Sequence, residues 1–243
     1  MFEQGPKFTT DADTHVGKVR DLNEDSLLVR ENLHLWCVAD GMGGHEGGDW
    51  ASQAVVAELA KIDRDMPGGE MMQAVRQAYH DAHAAIQVEA GMRGAGTMGS
   101  TAVSLIMSGD HFVCLWVGDS RLYHCRDGQV RQLSADHSLV NEWVEAGKIT
   151  AEEAEHHPHG NVITRAIGVG EEPPEVAKIR GQFEPGDRFL LCSDGLSGYM
   201  REDDIFNVVC NEKMDGIADR LIQGALDGGG KDNITVIVVE VPY

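Results

Sequence analysis

Acidic residues follow three apolar segments of this sequence in the same way. The segments end Val38-Ala39-Asp40-Gly41, Val117-Gly118-Asp119-Ser120 and Cys192-Ser193-Asp194-Gly195. Glu24 precedes the first apolar run, and Asp232 precedes the last. Ends of neighbouring strands can meet at one rim of a sheet, where converging carboxylates would repel one another unless cations lay between them. Oxygen ligands without His or Cys at comparable positions favour Mg²⁺ or Mn²⁺ over Zn²⁺.

Turn chemistry is the alternative explanation, because Asp-Gly pairs are common in turns. We assign Asp127-Gly128 to a hairpin turn, and the turn explanation stays open for Asp119 because an apolar run resumes at Arg121. Asp40 differs, since the glycine-rich segment Gly41–Gly48 that follows is too long for a tight turn. Glycines there let the backbone approach a bound group, and the Gly41 carbonyl is a candidate metal ligand.

The elements that would position these acids are short apolar runs rich in β-branched and aromatic residues, which predict strands. Ser108-Gly109-Asp110 predicts a hairpin turn, so much of the sheet should be antiparallel. The predicted strands are Ser26–Arg30, His34–Ala39, Thr101–Met107, His111–Val117, Arg121–Cys125, Arg188–Cys192 and Ile234–Val241.

Helical spacing appears between the strands. One predicted face comprises Val75, Tyr79, Ala82 and Ile86, another comprises Ala218, Leu221, Ile222 and Ala225, and a further helix is expected over Asp49–Lys61. Thr150 and Glu153 form a capping-box pattern that predicts a short helix over Ala151–His156.

The expected architecture is a single α+β domain over residues 1–243, with helices packed over antiparallel sheets. The polar, His-rich insert at about 138–169 interrupts the strand pattern and predicts a surface flap. Its histidines (His156, His157 and His159) fit a surface position better than a metal site.

Charge narrows the possible partners. The chain has 243 residues, with 40 acidic against 20 basic residues and a formal net charge of −20. Such a surface repels nucleic acid and anionic lipid, so we expect neither a nucleic-acid nor a membrane partner. Most of this acidity is explained by a solvated surface that aids solubility.

The five cysteines are Cys37, Cys114, Cys125, Cys192 and Cys210, and none forms a CxxC pair. Four lie in apolar runs, which predicts reduced, buried thiols and a reducing compartment. The N-terminal residues contain no apolar signal core, and no apolar run approaches the length of a membrane span. We therefore expect a cytoplasmic protein.

Seven sequence blocks, taken in order, resemble the metal-dependent PP2C-type (PPM family) protein serine/threonine phosphatases, especially the compact bacterial members that consist of the catalytic domain alone. The resemblance covers about residues 14–241. The blocks are Arg20-x-x-Asn23-Glu24-Asp25, Val38 to His45, Gly99-Ser100-Thr101, Gly118-Asp119-Ser120-Arg121, Asp136-His137-Ser138, Ser193-Asp194-Gly195-Leu196 and Lys231-Asp232-Asn233-Ile234-Thr235.

This resemblance implies a layered β-sandwich of two mainly antiparallel sheets flanked by helices, with two Mn²⁺ or Mg²⁺ ions in a cleft. By motif, Asp40 bridges both ions and the Gly41 carbonyl binds one. Asp194 and Asp232 bind the other ion, and Glu24 contacts the first through water. Asp119, with Asp194, resembles the pair that holds a weaker third ion.

The implied reaction is hydrolysis of phosphoserine and phosphothreonine monoesters by direct attack of a water or hydroxide that bridges the metals. Arg20 matches the residue that grips the phosphate, by its planar two-donor fork. Many eukaryotic relatives carry a histidine where this chain has Met42, which leaves His45 as a candidate general acid and a water as the alternative. We expect His137 to be structural.

The implied partners are phosphorylated proteins and, by family analogy, a bacterial Ser/Thr kinase and its substrates. The main alternative is a catalytically weak PP2C-like module that binds phosphoproteins, although no acid that the motifs require is missing. A calcium-binding structural protein lacks EF-hand spacing here. A metal-dependent nuclease is disfavoured by the net charge of −20.

Overall fold

The computed structural model describes residues 7–43, 47–94, 96–155 and 157–243. The strands are β1 (Thr9–His15), β2 (Asp25–Arg30), β3 (Leu35–Gly43), β4 (Met98–Ser100), β5 (Ala102–Ser108), β6 (His111–Val117), β7 (Arg121–Arg126), β8 (Gln129–Gln132), β9 (Ala177–Gln182), β10 (Arg188–Cys192) and β11 (Ile234–Glu240). The helices are α1 (Gly47–Ala60), α2 (Gly68–Arg93), α3 (Leu139–Glu145), α4 (Ala151–Glu155), α5 (Asp194–Ser197), α6 (Glu202–Asn211) and α7 (Ile217–Asp227), with a 3₁₀ turn at Glu31–Leu33.

The strands form two sheets, and every strand pairing in the described part of the chain is antiparallel. The first sheet has the order β1-β11-β10-β7-β8, and the second has the order β2-β3-β5-β6-β9 with β4 added beside β3. Hairpin turns join β5 to β6 and β7 to β8, as predicted. At the second of these turns Asp127 and Gly128 both have positive φ, of 51° and 72°.

The layers can be followed by the alternation of side chains along single strands. In β3, Trp36 and Val38 belong to the apolar cluster between the sheets, whereas Cys37 faces the cluster formed with α1 and α2. In β10, Leu191 faces the inter-sheet cluster and Leu190 faces the cluster formed with α6 and α7. The order helices, sheet, sheet, helices confirms the predicted layered β-sandwich. It also explains why the central strands are continuous apolar runs, since both of their faces are buried.

Four strands and three helices were not predicted from the sequence: β1, β4, β8, β9, α3, α5 and α6. The strands β1, β8 and β9 lie at sheet edges and β4 has three residues, so none has the continuous apolar run that identified the central strands. The helix α6 opens with three acidic residues but buries Ile205 and Val209, one helical turn apart. The spacing of these two apolar residues could have predicted the helix. Both predicted apolar helix faces are buried, on α2 and α7.

The prediction of reduced cysteines is correct for Cys37, Cys114 and Cys192, which are free and buried, but wrong for the other two. Cys125 in β7 and Cys210 in α6 form a disulfide, with Cα atoms 6.1 Å apart across a sequence separation of 85 residues. This bond could not be predicted from the sequence, because it depends on the packing of α6 against β7.

Candidate active site

Asp40 lies inside β3, not at its end, so the predicted strand boundary at Ala39 is wrong. The strand continues to Gly43 by changing partner, from β5 before Asp40 to β4 after it. Two hydrogen bonds to Thr101 fix the Asp40 backbone: its carbonyl accepts from the Thr101 N–H at 2.8 Å, and its N–H donates to Thr101 Oγ1 at 3.1 Å. These two hydrogen bonds hold the Asp40 backbone in place at the point where the strand changes partner.

Asp25 lies directly opposite Asp40 in the β2–β3 register and is buried. The Ser193 hydroxyl, from the first sheet's side of the site, donates to Asp25 Oδ2 at 2.7 Å. Burial raises the Asp25 pKa to about 7, with further increases from Asp194 and Asp232, although hydrogen bonds from Thr235 and Ser193 oppose the shift. Asp25 was not among the predicted site residues, and its place in the Asn23-Glu24-Asp25 block was the available signal.

The Gly41 backbone is packed so closely between the backbones of Glu24 and Gly48 that residue 41 must be glycine. The Gly41 N–H donates to the Glu24 carbonyl at 3.1 Å. A Cβ at position 41 would lie only 1.9 Å from the Gly48 carbonyl oxygen. The Glu24 carboxylate accepts a hydrogen bond from the Gly48 backbone, but burial has the larger effect and raises the pKa of Glu24.

Asp194 and Asp232 come from adjacent strands of the first sheet, since α5 begins directly after β10 and Asp232 precedes β11. A Cβ at Gly195 would lie 1.8 Å from the Asn233 carbonyl oxygen, so these two segments touch backbone to backbone. Asp232 Oδ2 accepts from Arg20 Nη2 at 2.8 Å, and its Oδ1 accepts from the Asn233 N–H at 2.9 Å. The predicted phosphate-binding Arg20 therefore lies beside a predicted metal ligand.

Asn233 connects the two ends of the segment that carries Arg20. Its side-chain Nδ2 donates to the carbonyls of Val16 and Leu22, both at 2.9 Å, and its Oδ1 accepts from the Glu24 N–H at 2.8 Å. The side chain is buried, and its amide thus makes three backbone hydrogen bonds. We did not assign Asn233 a role from the sequence, although it belongs to one of the quoted blocks.

Asp119 lies where the chain crosses from one sheet to the other. β6 pairs with β5 and β9, and β7 pairs with β10 and β8, so Asp119 is not in a hairpin turn between its flanking strands. Burial raises its pKa to about 7, and the next contributions come from Asp194 and Asp136. The strand pairing thus rules out a hairpin turn at Asp119, and its assignment to a metal site stays a prediction.

His137 supports this crossing, as its predicted structural role requires. Its ring Nδ1 accepts from the Gly118 N–H at 3.1 Å, and its backbone N–H donates to the Gly118 carbonyl at 3.0 Å. The ring stacks on Trp116. Burial, followed by the charge of Arg165, lowers the His137 pKa to about 4.

The acids together form one repulsive cluster. Burial raises the Asp40 pKa well above its ordinary value, and Asp25, Asp194, Asp119 and Asp232 raise it further, in that order. Burial and then Asp232 raise the pKa of Asp194. Within the described ranges no three acidic, imidazole or thiol side chains already close around one point in metal-ligand geometry. The donor set itself, several partly buried carboxylates with a carbonyl nearby, fits hard divalent cations.

The remaining candidates lie apart from this cluster or outside the description. His45 and His156 belong to the residues that the structure does not describe. His157 and His159 contact the ring of Trp143 in the predicted flap. The Thr150–Glu153 capping box at α4 is present as predicted.

Comparison with known proteins identifies the family. The profile described as Protein phosphatase 2C matches residues 15–224. The chain belongs to the protein phosphatase 2C family. This confirms the resemblance drawn from the seven sequence blocks.

Two bacterial phosphatases illustrate the relationship to other protein phosphatase 2C members. The serine/threonine protein phosphatase PstP of Mycobacterium tuberculosis is 40% identical over 229 residues, which are 93% of this chain and 43% of PstP. The serine/threonine phosphatase stp of Listeria welshimeri is 36% identical over 239 residues, 93% of each chain. The chain thus spans less than half of PstP but nearly all of stp.

Solved structures of PstP agree with this fold. One crystal structure of the M. tuberculosis enzyme superposes with a TM-score of 0.90 at 37% identity, covering 97% of this chain and 99% of that one. The PstP catalytic domain in complex with 2 manganese ions has a TM-score of 0.87, again at 37% identity, with coverage of 97% and 99%. Within the described residues, no helix has both the length and the apolar character required to cross a bilayer.

Proposed function

We propose that this chain is a metal-dependent protein phosphatase that hydrolyses phosphoserine and phosphothreonine monoesters. The observation that carries the proposal is the cluster of mutually repelling carboxylates around Asp40, with the Arg20 guanidinium at its edge. Cations that relieve the repulsion would also attract a phosphate dianion, which the carboxylates alone would exclude. Family membership and the names of the bacterial relatives support the same activity.

The proposed ligands of two Mn²⁺ or Mg²⁺ ions are Asp40, the Gly41 carbonyl, Asp194, Asp232 and Glu24. Asp119 would hold a third, weaker ion together with Asp194. When bound, such ions lower the pKa of water and offset charge on the phosphoryl oxygens. The two manganese ions in the PstP catalytic domain support this assignment.

The protein's own contribution is to bind and orient the phosphate. Arg20 presents a planar fork of N–H donors suited to two phosphoryl oxygens, and its side chain is 49% exposed at the edge of the cluster. Met42 follows the Asp40-Gly41 pair and has no proton to donate, so the leaving alkoxide must obtain its proton elsewhere. His45 remains our candidate for that role.

The proposed substrates are phosphorylated proteins, including a Ser/Thr kinase and its targets, and the proposed location is the cytoplasm. We also propose that residues 1–243 act as one phosphatase domain in which about 138–169 form the flap. The likeness to the relatives over 93% of the chain supports this domain assignment.

The test compares hydrolysis of phosphoserine, phosphothreonine and phosphotyrosine peptides with Mn²⁺, with Mg²⁺ and with EDTA. We expect activity on the first two peptides, loss with EDTA and recovery when either metal is restored. Asp40→Asn should lower kcat by several orders of magnitude without unfolding the protein. Asp127→Asn, the same chemical change in a hairpin turn, is the control and should keep wild-type kinetics. Wild-type turnover in Asp40→Asn, or full activity in EDTA, would refute the proposed function.

A further inference from the structure

The segment 16–22, which we name the Arg20 loop, is held firmly against the C-terminal part of the chain. Besides the two hydrogen bonds from Asn233, the Lys18 N–H donates to the Gly230 carbonyl at 2.7 Å. The Lys18 ammonium donates to the Leu226 carbonyl, at the end of α7, at 2.6 Å. The backbone of the loop is therefore fixed at both ends and in its middle.

This fixed loop exposes two large apolar side chains. Val19 is 66% exposed and Leu22 is 48% exposed, and they lie one residue before and two residues after Arg20. An anchored backbone cannot easily turn to bury these side chains, so they remain available to a partner. A single exposed apolar residue needs no explanation. Two of them in the loop that carries the proposed phosphate-binding group lie next to the proposed site.

We infer that Val19 and Leu22 form an apolar docking rim for the residues that flank the phosphorylated side chain of a protein substrate. The inference rests on the proposed function and adds a substrate preference to it. Residues one or two positions from the phosphorylated side chain lie about 3–7 Å from it along an extended peptide. With the phosphate on Arg20, these flanking residues would pass beside the loop positions next to Arg20, which are occupied by the exposed Val19 and Leu22. The rim would favour apolar flanking residues such as leucine over small polar ones.

The experiment compares two phosphothreonine peptides that differ only at the flanking positions, one with leucines and one with serines. Wild-type protein should show a lower KM for the leucine peptide. Val19→Ser and Leu22→Ser together should raise that KM by about threefold to tenfold, as expected for the loss of two partly buried apolar contacts, with kcat unchanged. The serine peptide should be hydrolysed with unchanged kcat and KM.

A matched control is available on α2. Val88 and Met92 are 58% and 75% exposed, and their replacement by serine makes the same chemical change away from the loop. Val88→Ser with Met92→Ser should leave the KM of both peptides unchanged. An equal rise in the leucine-peptide KM for the control would overturn the inference, because the effect would then follow from general surface hydrophobicity.

The remaining outcomes separate the two proposals. Absence of hydrolysis of either peptide by wild-type protein with Mn²⁺ would refute the proposed function. Equal KM values for both peptides in wild type and variants would overturn the docking rim while leaving the phosphatase function intact. Equal loss on both peptides, without recovery in Val19→Ile with Leu22→Met, would instead assign these residues to the structure of the loop and also overturn the rim.

Discussion

The Asn233 side chain offers the sharpest test of how the site is built. Asn233→Asp keeps the size of the side chain and the oxygen that accepts from the Glu24 N–H, but it replaces the amino group by an anionic oxygen. That oxygen would face the Val16 and Leu22 carbonyls, which in the wild type accept hydrogen bonds from the Asn233 amino group at 2.9 Å each. The substitution therefore removes two bonds and adds repulsion.

The free-energy cost of Asn233→Asp depends on how far water can reach the two carbonyls that lose their donor. Each lost bond costs about 1 kcal/mol where water can replace the donor, and up to about 3 kcal/mol where it cannot. Leu22 is exposed and Val16 is partly exposed, so the lower end applies and the total is about 2–3 kcal/mol. Detachment of the Arg20 loop would remove this repulsion. The free-energy cost should therefore appear mainly as local opening of the loop and not as a lower stability of the whole domain. If opening of the loop removes Arg20 from its place at a cost of about 2–3 kcal/mol, kcat/KM should fall by about thirtyfold to 150-fold.

The assays are steady-state kinetics on a phosphothreonine peptide and amide hydrogen exchange over residues 16–22. We expect faster exchange in this segment, reduced kcat/KM and a small change in melting temperature. Asn211→Asp is the control, since the Asn211 side chain donates to Asn207 on the exposed surface of α6, away from the Arg20 loop. Kinetics within about twofold of wild type in Asn233→Asp, or unchanged exchange in the loop, would refute the reasoning.

Three further predictions concern single charged groups. Arg20→Ala should lower kcat/KM about tenfold to a hundredfold, as expected for the loss of a charge-assisted bond of about 1.5–3 kcal/mol. Arg20→Lys should recover only part of this loss, because an ammonium group lacks the planar fork. A lysine variant with wild-type kcat/KM would remove Arg20 from the site. Asp119→Ala should reduce phosphopeptide turnover and the number of bound Mn²⁺ ions with a nearly unchanged melting temperature, whereas wild-type kcat in a destabilised variant would return Asp119 to a structural role. Burial opposes ionisation of Asp187, but hydrogen bonds from Arg126, the Glu184 backbone and His124 outweigh it and lower its pKa. Wild type should therefore be more stable than Asp187→Asn by about 2 kcal/mol at neutral pH, and the difference in urea unfolding should shrink as pH falls below 3.8; a pH-independent difference would contradict this assignment.

The central strands and the two long apolar helix faces could be predicted because their signal is local. Leu190 and Leu191 point into different layers, yet both are buried, so the run around them needed no tertiary information to be recognised. The edge strand β1 has exposed and polar positions that depend on β11 for their pairing. The Cys125–Cys210 bond likewise depends on a contact between distant elements.

The candidate site was only partly predictable for the same reason. Asp40, Asp194 and Asp232 were identified because each stands beside an apolar run and within a recognisable block. Asp25 and Asn233 belong to the same blocks, but their importance comes from contacts across the chain, with Ser193 and with the Arg20 loop respectively. The position of Asp119 between sheets could not be deduced, because the sequence does not state which strands pair.

The pairing of β1 with β11 has a consequence for the order in which the molecule can be assembled. Among the described residues Thr9–His15 pairs with Ile234–Glu240 alone, and Arg20 meets Asp232 across 212 residues of chain. At about 5–20 residues per second, a nascent chain would carry its N-terminal strand for roughly 10–40 s before that partner is synthesised. Until then neither the Asn233 hydrogen bonds nor the Arg20–Asp232 pair can exist. The newly made protein therefore remains without its assembled site until synthesis of the last strand is complete.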